Sequence, residues 1–283
     1  MLLLLVMLAL VQGITEFLPI SSSGHLILVP YFLEVEDQGL LIDVAVHVGT
    51  LGAVMAYFHR DIWMMVRDTL GFGAASRRRN AKNLEEGGAG ASHQLPGRRL
   101  AGLLLLASLP IIPVGWFIHN IGLVDQLRNL AVIGWTMLGF GIVLYIADQS
   151  GMTLRGLRHL GWGGALIIGL SQILALIPGT SRAGITITAA RAMGFEREAA
   201  ARFSMLLSIP TIIAAGGLGA LEVWKSGDYQ LGVDAAIAAG LSFISALLAI
   251  SLFLRWIQRF TMTPFVVYRI GLGGLLLYLA YSG

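Results

Sequence analysis

Arg182 is the residue whose type and position say most about the chemistry of this chain. It lies in a short polar segment, residues 177–184 (IPGTSRAG), between two apolar runs that are each too short to cross a bilayer. A guanidinium at membrane depth is costly and normally marks a functional site. A similar segment, residues 12–25 (QGITEFLPISSSGH), carries Glu16 near the N-terminus. We call residues 12–25 the first break and residues 177–184 the second break, and their opposite charges predict one shared site.

Hydroxyl side chains precede the helix that is expected to follow each break. They are Ser21, Ser22 and Ser23 in the first break and Thr180 and Ser181 in the second. A helix start presents free N–H groups and the positive end of the helix dipole, an arrangement that favours phosphate. Each hydroxyl taken alone is equally well explained as an N-terminal helix cap. Five hydroxyls beside Arg182 favour a phosphate site.

Three further polar side chains of the first break have competing interpretations. Gln12 and Glu16 are four residues apart and share one helical face. Gln12 alone is best explained by an interhelical hydrogen bond, whereas Glu16 is a carboxylate inside an apolar run. His25 alone is as well explained by a neutral packing role, but its place just after the serines favours a role in the site.

A charge count predicts a metal ion. A diphosphate carries roughly two to three negative charges, while Arg182 supplies one positive charge, the two helix ends supply about +0.5 each and Glu16 removes one. A divalent cation held by Glu16 and by phosphate oxygens would make up the difference, and Mg²⁺ or Ca²⁺ suits such oxygen ligands. The chain has no cysteine, which excludes thiolate metal sites and thiol catalysis.

The composition is that of an integral membrane protein. Of the 283 residues, 56% are hydrophobic and only 12% are charged, and the mean hydropathy is +0.78. The net charge of +3 resides mainly in the expected loops, so it indicates orientation in the bilayer and not a nucleic-acid partner.

Apolar runs predict an all-α membrane fold with six transmembrane helices. The runs are 40–58, 100–118, 130–147, 203–221, 235–254 and 264–281. Two other stretches, 1–33 and 161–193, are interrupted by Pro19 and Pro178, and we interpret each as a re-entrant helix pair that enters and leaves on the same side. Irregular backbone at that depth must be buried in protein or line a cavity.

Basic residues set the orientation. If segment 60–99 is cytoplasmic, the loops on that side hold 14 Lys and Arg residues and the opposite loops hold only Arg128 and Lys225. Both termini are then outside. The segment 60–99, with three consecutive arginines and a glycine-rich stretch, is expected to be a mobile cytoplasmic loop.

The same pattern predicts one membrane domain built as an inverted repeat. Its halves, residues 1–147 and 161–283, each comprise a re-entrant pair followed by three spans, and an odd number of spans inverts the second half. In that arrangement the two breaks meet near the middle of the bilayer.

Both breaks resemble the signature motifs of the undecaprenyl-diphosphate phosphatase family, known for bacitracin resistance. The similarity lies in QxxxEFLPxSSSGH, from Gln12 to His25, and in PGxSRxGxT, from Pro178 to Thr186. It extends to DVAVHVGT at 43–50 and PFxxYR at 264–269, and so spans nearly the whole chain. Many members of the family have serine where this chain has Ala183.

The resemblance implies hydrolysis of undecaprenyl diphosphate to the monophosphate, which recycles the lipid carrier of cell-wall synthesis. It implies a bacterial inner-membrane protein whose site faces the periplasm or outer face, and bacitracin would act on the same substrate. Homodimers are compatible with it. The residues to which the resemblance assigns roles are Glu16, His25, Ser22, Arg182, Ser181 and Thr186.

These roles predict phosphoryl transfer. Either Ser22 or His25 would be the nucleophile, with Arg182 stabilising the phosphoryl oxygens and Glu16 positioning the metal or a base. Substrate contacts are expected from hydroxyl residues in or just after the two breaks and from Gln12. They are Gln12, Ser21, Ser23, Thr180, Ser181 and Thr186.

A transporter or flippase for a phosphorylated lipid or an anion is the alternative. Inverted repeats with broken helices are also transporter architecture, and Glu16 and His25 could carry protons or hold a coupling ion.

Overall fold

A computed structural model describes the backbone of residues 2–33, 40–72, 95–150, 155–226 and 229–282, and helices account for most of it. Within these ranges no β-strand is present, and the only extended pairing is an isolated bridge between Arg155 and Phe195. The all-α prediction is therefore confirmed. The helices are α1 (Leu2–Thr15), α2 (Ser22–Leu33), α3 (Leu40–Tyr57), α4 (His59–Thr69), α5 (Gly97–Ser108), α6 (Ile111–Asn120), α7 (Leu123–Leu127), α8 (Leu130–Ser150), α9 (Trp162–Gln172), α10 (Arg182–Ala192), α11 (Arg197–Ser226), α12 (Tyr229–Ile257) and α13 (Thr263–Ser282).

Several of these helices are long and apolar enough to cross a membrane. Within the described ranges four stretches qualify by length and composition: Gly97–Ile118, Leu130–Ser150, Gly232–Ile257 and Thr263–Ser282. The helices α3 and α4, bent by 75° at Phe58, would together make a fifth. The expected span 203–221 lies within α11, where the side chains of 217–226 are outside the described part. The protein is thus multi-pass, whereas six spans with two re-entrant pairs stay a prediction.

Each break separates two helices, as its proline predicts. Helix α1 ends at Thr15 and α2 begins at Ser22, while a 3₁₀ turn ends at Leu176 and α10 begins at Arg182. Proline cannot donate a backbone hydrogen bond and so tends to kink or interrupt a helix, although Pro210 lies inside α11.

The two breaks also share an uncommon backbone feature. Ser21, with φ 76°, and Ser181, with φ 69°, are the two non-glycine residues of the described chain that have positive φ. Each directly precedes the first residue of a helix. Such conformations cost on the order of 1–3 kcal/mol and persist where the surrounding structure holds them, often at functional sites.

Close helix packing sets the frame around the breaks. A Cβ on Gly49 of α3 would lie 2.2 Å from the carbonyl oxygen of Ala239 in α12. A Cβ on Gly273 of α13 would lie 2.9 Å from the carbonyl oxygen of Gly134 in α8. Small residues let membrane helices approach this closely. The last helix, α13, is consequently held against α8, beside both breaks.

The segment 60–99 is partly helical. Helix α4 occupies its start, and α5 begins at Gly97, where the backbone N–H donates to Asp68 Oδ2 at 2.9 Å. The Asp61 carboxylate accepts a hydrogen bond from Arg202 at 2.5 Å. Residues 73–94, and with them the expected mobile stretch and its three arginines, lie outside the described ranges.

A buried ionic cluster fixes the far end of α10. The Asp148 carboxylate accepts from Arg191 Nε at 3.0 Å, from Arg197 Nε at 2.7 Å and from the backbone N–H of Met262 at 3.1 Å. Arg191 also donates to the carbonyl oxygens of Asp148 and Phe195 at 2.8 and 2.6 Å. These contacts satisfy the fully buried Arg191, and they tie α8, α10 and α11 together.

Candidate active site

Glu16 is the point at which the two breaks meet. Its Oε1 accepts from Arg182 Nη2 of the second break at 3.1 Å, and its Oε2 accepts from Ser22 Oγ at 2.9 Å. The Gln12 amide also donates to Oε2 at 2.9 Å, as the spacing of four residues predicts. Glu16 is only 8% exposed. Charge-assisted bonds of this kind hold a carboxylate in one orientation.

Two hydrogen bonds to the protein fix the orientation of the Arg182 guanidinium. Nη1 donates to the Ser204 carbonyl of α11 at 3.2 Å, and Nη2 donates to Glu16. These are two of the five N–H donors that a guanidinium carries. Because Arg182 lines the cavity, its remaining donors can serve phosphate oxygens.

A cavity of about 410 Å³ opens at this ion pair. Its polar wall is formed by residues of both breaks together with residues of α3 and α11. These are Glu16, Ser21, Ser22, Ser23, Asp43, His47, Ser181, Arg182 and Thr211. The apolar part of the lining includes Ile111, Leu176 and Ile212. The cavity therefore offers a ligand both a polar and an apolar surface.

Serine hydroxyls connect the two breaks and cap helix α10. Ser181 Oγ accepts the Gly184 N–H at 3.0 Å, which makes it the N-cap of α10. Ser23 Oγ accepts the Gly179 N–H at 3.3 Å and lies 3.1 Å from Ser21 Oγ, so it joins the two breaks. The capping interpretation and the site interpretation thus apply together at Ser181, which caps α10 and also lines the cavity.

Three residues expected to contact substrate are buried behind the cavity wall and are not among its lining residues. Gln12 and Thr180 are fully buried, and the Thr180 hydroxyl has no hydrogen-bond partner in the described part of the chain. Thr186 pairs with Ser204 Oγ at 2.7 Å and donates back to the Arg182 carbonyl at 2.8 Å. In this geometry Gln12 and Thr186 support Glu16 and Arg182 from behind.

His25 is turned away from the cavity. Its Nδ1 lies 2.6 Å from the Ser21 carbonyl oxygen, which can only accept, so Nδ1 carries the proton of the neutral ring. Nε2 then accepts from the Tyr268 hydroxyl at 2.6 Å, and the two rings stack with an interplanar angle of 4°. Both nitrogens are therefore engaged outside the cavity.

His47 and Asp43 enter the site although the breaks do not contain them. His47 Nδ1 lies 2.6 Å from the Asp43 carbonyl oxygen, so the neutral ring presents an unprotonated Nε2, which lies 3.9 Å from Glu16 Oε2. Both residues line the cavity. Their spacing of four on an apolar helix was the available signal, since it places two polar groups on one face.

The residues offer a divalent cation few protein ligands. Within the described ranges no group of three His, Cys, Asp or Glu side chains could hold a metal. Glu16 Oε1 accepts one hydrogen bond from the protein, which leaves it a lone pair, and the buried Gln12 Oε1 has no partner among the described residues. This set fits Mg²⁺ or Ca²⁺ if phosphate and water complete the shell, as Mg²⁺ often requires.

Comparison with known proteins gives one consistent result. A family model described as "Bacitracin resistance protein BacA" matches residues 5–275. Proteins named undecaprenyl-diphosphatase from Jannaschia sp. (strain CCS1) and Ruegeria pomeroyi are each 52% identical over 278 residues, which is 98% of this chain and 98% of each relative. A third, undecaprenyl-diphosphatase 1 from Rhodospirillum rubrum, is 43% identical over 289 residues, covering 100% of this chain and 96% of the relative.

Proposed function

Because the chain belongs to the bacitracin resistance protein BacA family, we infer that it hydrolyses undecaprenyl diphosphate to undecaprenyl phosphate and inorganic phosphate. The protein is thus a phosphatase that recycles a lipid carrier. The observation that carries this function is the contact of Glu16 with both Ser22 and Arg182 at the cavity. A hydroxyl bonded to a carboxylate suits attack on phosphorus, and a guanidinium suits the oxygens around it.

Ser22 is the better placed of the two nucleophile candidates. Its Oγ lines the cavity and donates to Glu16 Oε2 at 2.9 Å, whereas both His25 nitrogens are engaged elsewhere. Ser22 Oγ would attack the terminal phosphorus while Glu16 takes its proton. The bond between that phosphorus and the bridging oxygen would break, and undecaprenyl phosphate would leave. Water would then release inorganic phosphate from Ser22.

Arg182 and the two helix starts would stabilise the transition state. Charge spreads over three equatorial oxygens during phosphoryl transfer, and fixed donors aimed at them lower the barrier. Helices α2 and α10 begin beside the cavity, so the positive ends of both dipoles face the same volume. His25 would act by holding the Ser21 carbonyl, and so the start of α2, in place.

The apolar wall suits the first isoprene units of the substrate. Ile111, Leu176 and Ile212 line the cavity, and their neighbours Ile112 and Ile213 are 45% and 53% exposed on the outer surface of the helices. A prenyl chain leaving between α6 and α11 would pass from this wall into the lipid, since both surfaces are apolar.

A divalent cation remains part of the proposal. Glu16 would hold it, and the ion would supply the positive charge that offsets the diphosphate when bound.

Chelation is expected to abolish phosphate release by the purified protein, and added Mg²⁺ or Ca²⁺ to restore it. Gln12→Glu should lower the metal concentration needed for half-maximal rate, because it adds a second carboxylate on the face of Glu16. Metal titration of the rate in both proteins measures this. Undiminished hydrolysis in excess chelator would remove the metal from the mechanism and leave Glu16 as a base.

The topology that fits this function has six spans and two re-entrant pairs in an inverted repeat, with both termini and the site on the outer face of the bacterial inner membrane. The bias of basic residues supports the orientation. The matching positive-φ serines, Ser21 and Ser181, support the repeat. A homodimer, and bacitracin acting on the same substrate, stay predictions.

Cysteine labelling tests this topology without background, because the chain has no cysteine. A cysteine introduced at position 90 should be protected from an impermeant reagent in intact cells, and one at position 228 should react. Both positions lie outside the described ranges. Reaction at 90 or protection at 228 would reverse the orientation.

Phosphate release in detergent tests the function itself. Purified protein given undecaprenyl diphosphate should release inorganic phosphate although transport cannot occur in a micelle. A transporter or flippase would release none, and in that case the assignment as a phosphatase would be wrong.

A further inference from the structure

Arg269 contacts both breaks although it lies in neither. It is fully buried on α13. Its Nη1 donates to the Pro19 carbonyl of the first break at 3.2 Å, and its Nη2 donates to the Gly179 and Thr180 carbonyls of the second at 3.2 and 2.9 Å. One rigid group therefore spans both breaks.

The same guanidinium is anchored to α8. Nε donates to the Met137 carbonyl at 3.1 Å, and Nη2 lies 3.4 Å from the Thr136 carbonyl. All five acceptors are backbone oxygens, and no carboxylate in the described part of the chain lies within 4 Å of Arg269. A planar fork with five donors is the side chain best suited to bind several fixed carbonyls at once.

These carbonyls need a donor. Where a helix is interrupted at membrane depth, the freed backbone oxygens have no water to bond, so the protein must supply partners. Pro19 lies midway between Glu16 and Ser22, and Thr180 lies two residues before Arg182. A shift of either carbonyl would therefore move a residue of the cavity wall.

Two glycines leave room for the Arg269 side chain. A Cβ on Gly184 would lie 2.8 Å from Arg269 Nη1, and a Cβ on Gly141 would lie 3.2 Å from Arg269 Cβ. The ring of the neighbouring Tyr268 stacks on the His25 ring, and the Tyr268 hydroxyl donates a hydrogen bond to His25 Nε2. Adjacent residues of α13 thus hold the first break at two points.

We propose that Arg269 is a positioning residue of the phosphatase site, which sets the distance between Glu16 and Ser22 of one break and Arg182 of the other. It acts through the backbone of both breaks and does not touch substrate. Its uncancelled positive charge also favours an anion in the neighbouring cavity. The inference rests on the proposed function.

Arg269→Lys tests it, because an ammonium keeps the charge but cannot reach five carbonyls. We expect kcat for undecaprenyl diphosphate to fall by about 10²-fold, the loss typical of reacting groups displaced by about 1 Å. KM should change much less, and thermal unfolding in detergent should show a folded protein.

Arg191→Lys is the matched control. Arg191 is also fully buried and bonded to backbone carbonyls, but it lies about 13 Å along α10 from Arg182, given the helical rise per residue. It should reduce thermal stability and leave kcat of the folded fraction nearly unchanged.

A double-mutant cycle separates positioning from general destabilisation. If Arg269 acts by placing Arg182, the variant carrying Arg182→Lys and Arg269→Lys should lie within about threefold of the slower single variant, because coupled residues are not additive. The double variant carrying Arg182→Lys and Arg191→Lys should have the kcat of Arg182→Lys alone, because Arg191→Lys leaves kcat nearly unchanged. Multiplied losses for Arg269 would overturn the proposal.

Gly141→Ala provides a second test that keeps every charged group, and it decides the question if Arg269→Lys does not fold. The added methyl group would press on the aliphatic part of the Arg269 side chain. We expect kcat to fall by about tenfold, because this displaces the guanidinium less than its replacement by an ammonium does. Unchanged kcat in a folded Gly141→Ala protein contradicts the inference. If the parent protein releases no phosphate, the proposed function fails first and the inference fails with it.

Discussion

Arg182→Lys is expected to reduce kcat by about 10²-fold or more, nearly as much as Arg182→Ala, as for other preorganised donors at a transition state. The guanidinium donates to Glu16 and to the Ser204 carbonyl while it faces the cavity. An ammonium could keep one of these contacts but could not also present a two-pronged donor to phosphate oxygens. Initial rates of phosphate release by the two purified variants measure the loss.

Arg202→Lys is a suitable control for this substitution. Arg202 is paired with Asp61 through one hydrogen bond and has a side chain that is 28% exposed, outside the cavity wall. It should retain the kcat of the parent. Near-normal turnover of Arg182→Lys would mean that Arg182 contributes charge alone.

Glu16→Gln is expected to lower kcat by about 10²- to 10⁴-fold, the contribution of a well-placed general base. Glutamine is nearly the same size but cannot take the proton of Ser22, and its amide hydrogens would oppose either Ser22 or Arg182 at distances of 2.9 and 3.1 Å. The apparent affinity for the divalent cation should fall as well. Rates measured over a range of metal concentrations report both effects.

Gln12→Leu distinguishes the carboxylate from its supports. It removes one donor to Glu16 Oε2 and leaves the bonds from Ser22 and Arg182 in place. We expect it to slow the reaction far less than Glu16→Gln. Comparable losses in both variants would indicate that orientation of Glu16, and not proton transfer to it, limits the rate.

The sequence is sufficient to predict the breaks and the meeting of Glu16 with Arg182. Pro19 and Pro178 interrupt their helices for a local reason, the missing N–H group, and a charge at membrane depth needs either an opposite charge or backbone carbonyls as partners. Apolar length likewise predicts the helical membrane fold. These inferences need only local chemistry and the thickness of the bilayer.

Side-chain direction could not be predicted in the same way. His25 is turned towards Tyr268, 243 positions along the chain, and no periodic pattern encodes that contact. Arg269 follows Tyr268 in the largely apolar helix α13, and nothing in that run of residues indicates its carbonyl partners. His47 was visible as a polar residue on the same face as Asp43, but a single membrane histidine is as often a packing residue. Tertiary packing of α13 and α3 decides all three.

The mixed polar and apolar lining of the cavity has a kinetic consequence. In the proposed mode of binding, Arg182 and Glu16 meet the ionic end of the substrate, while Ile111, Leu176 and Ile212 receive the start of its apolar chain. An amphiphile can thus be loaded by lateral diffusion in the leaflet without entering water. Occupancy of the site then depends on the mole fraction of substrate among the lipids and not on its molarity in the sample. Adding inert lipid at a constant bulk concentration of substrate therefore slows such an enzyme. The density of the lipid carrier in the leaflet sets the reaction rate.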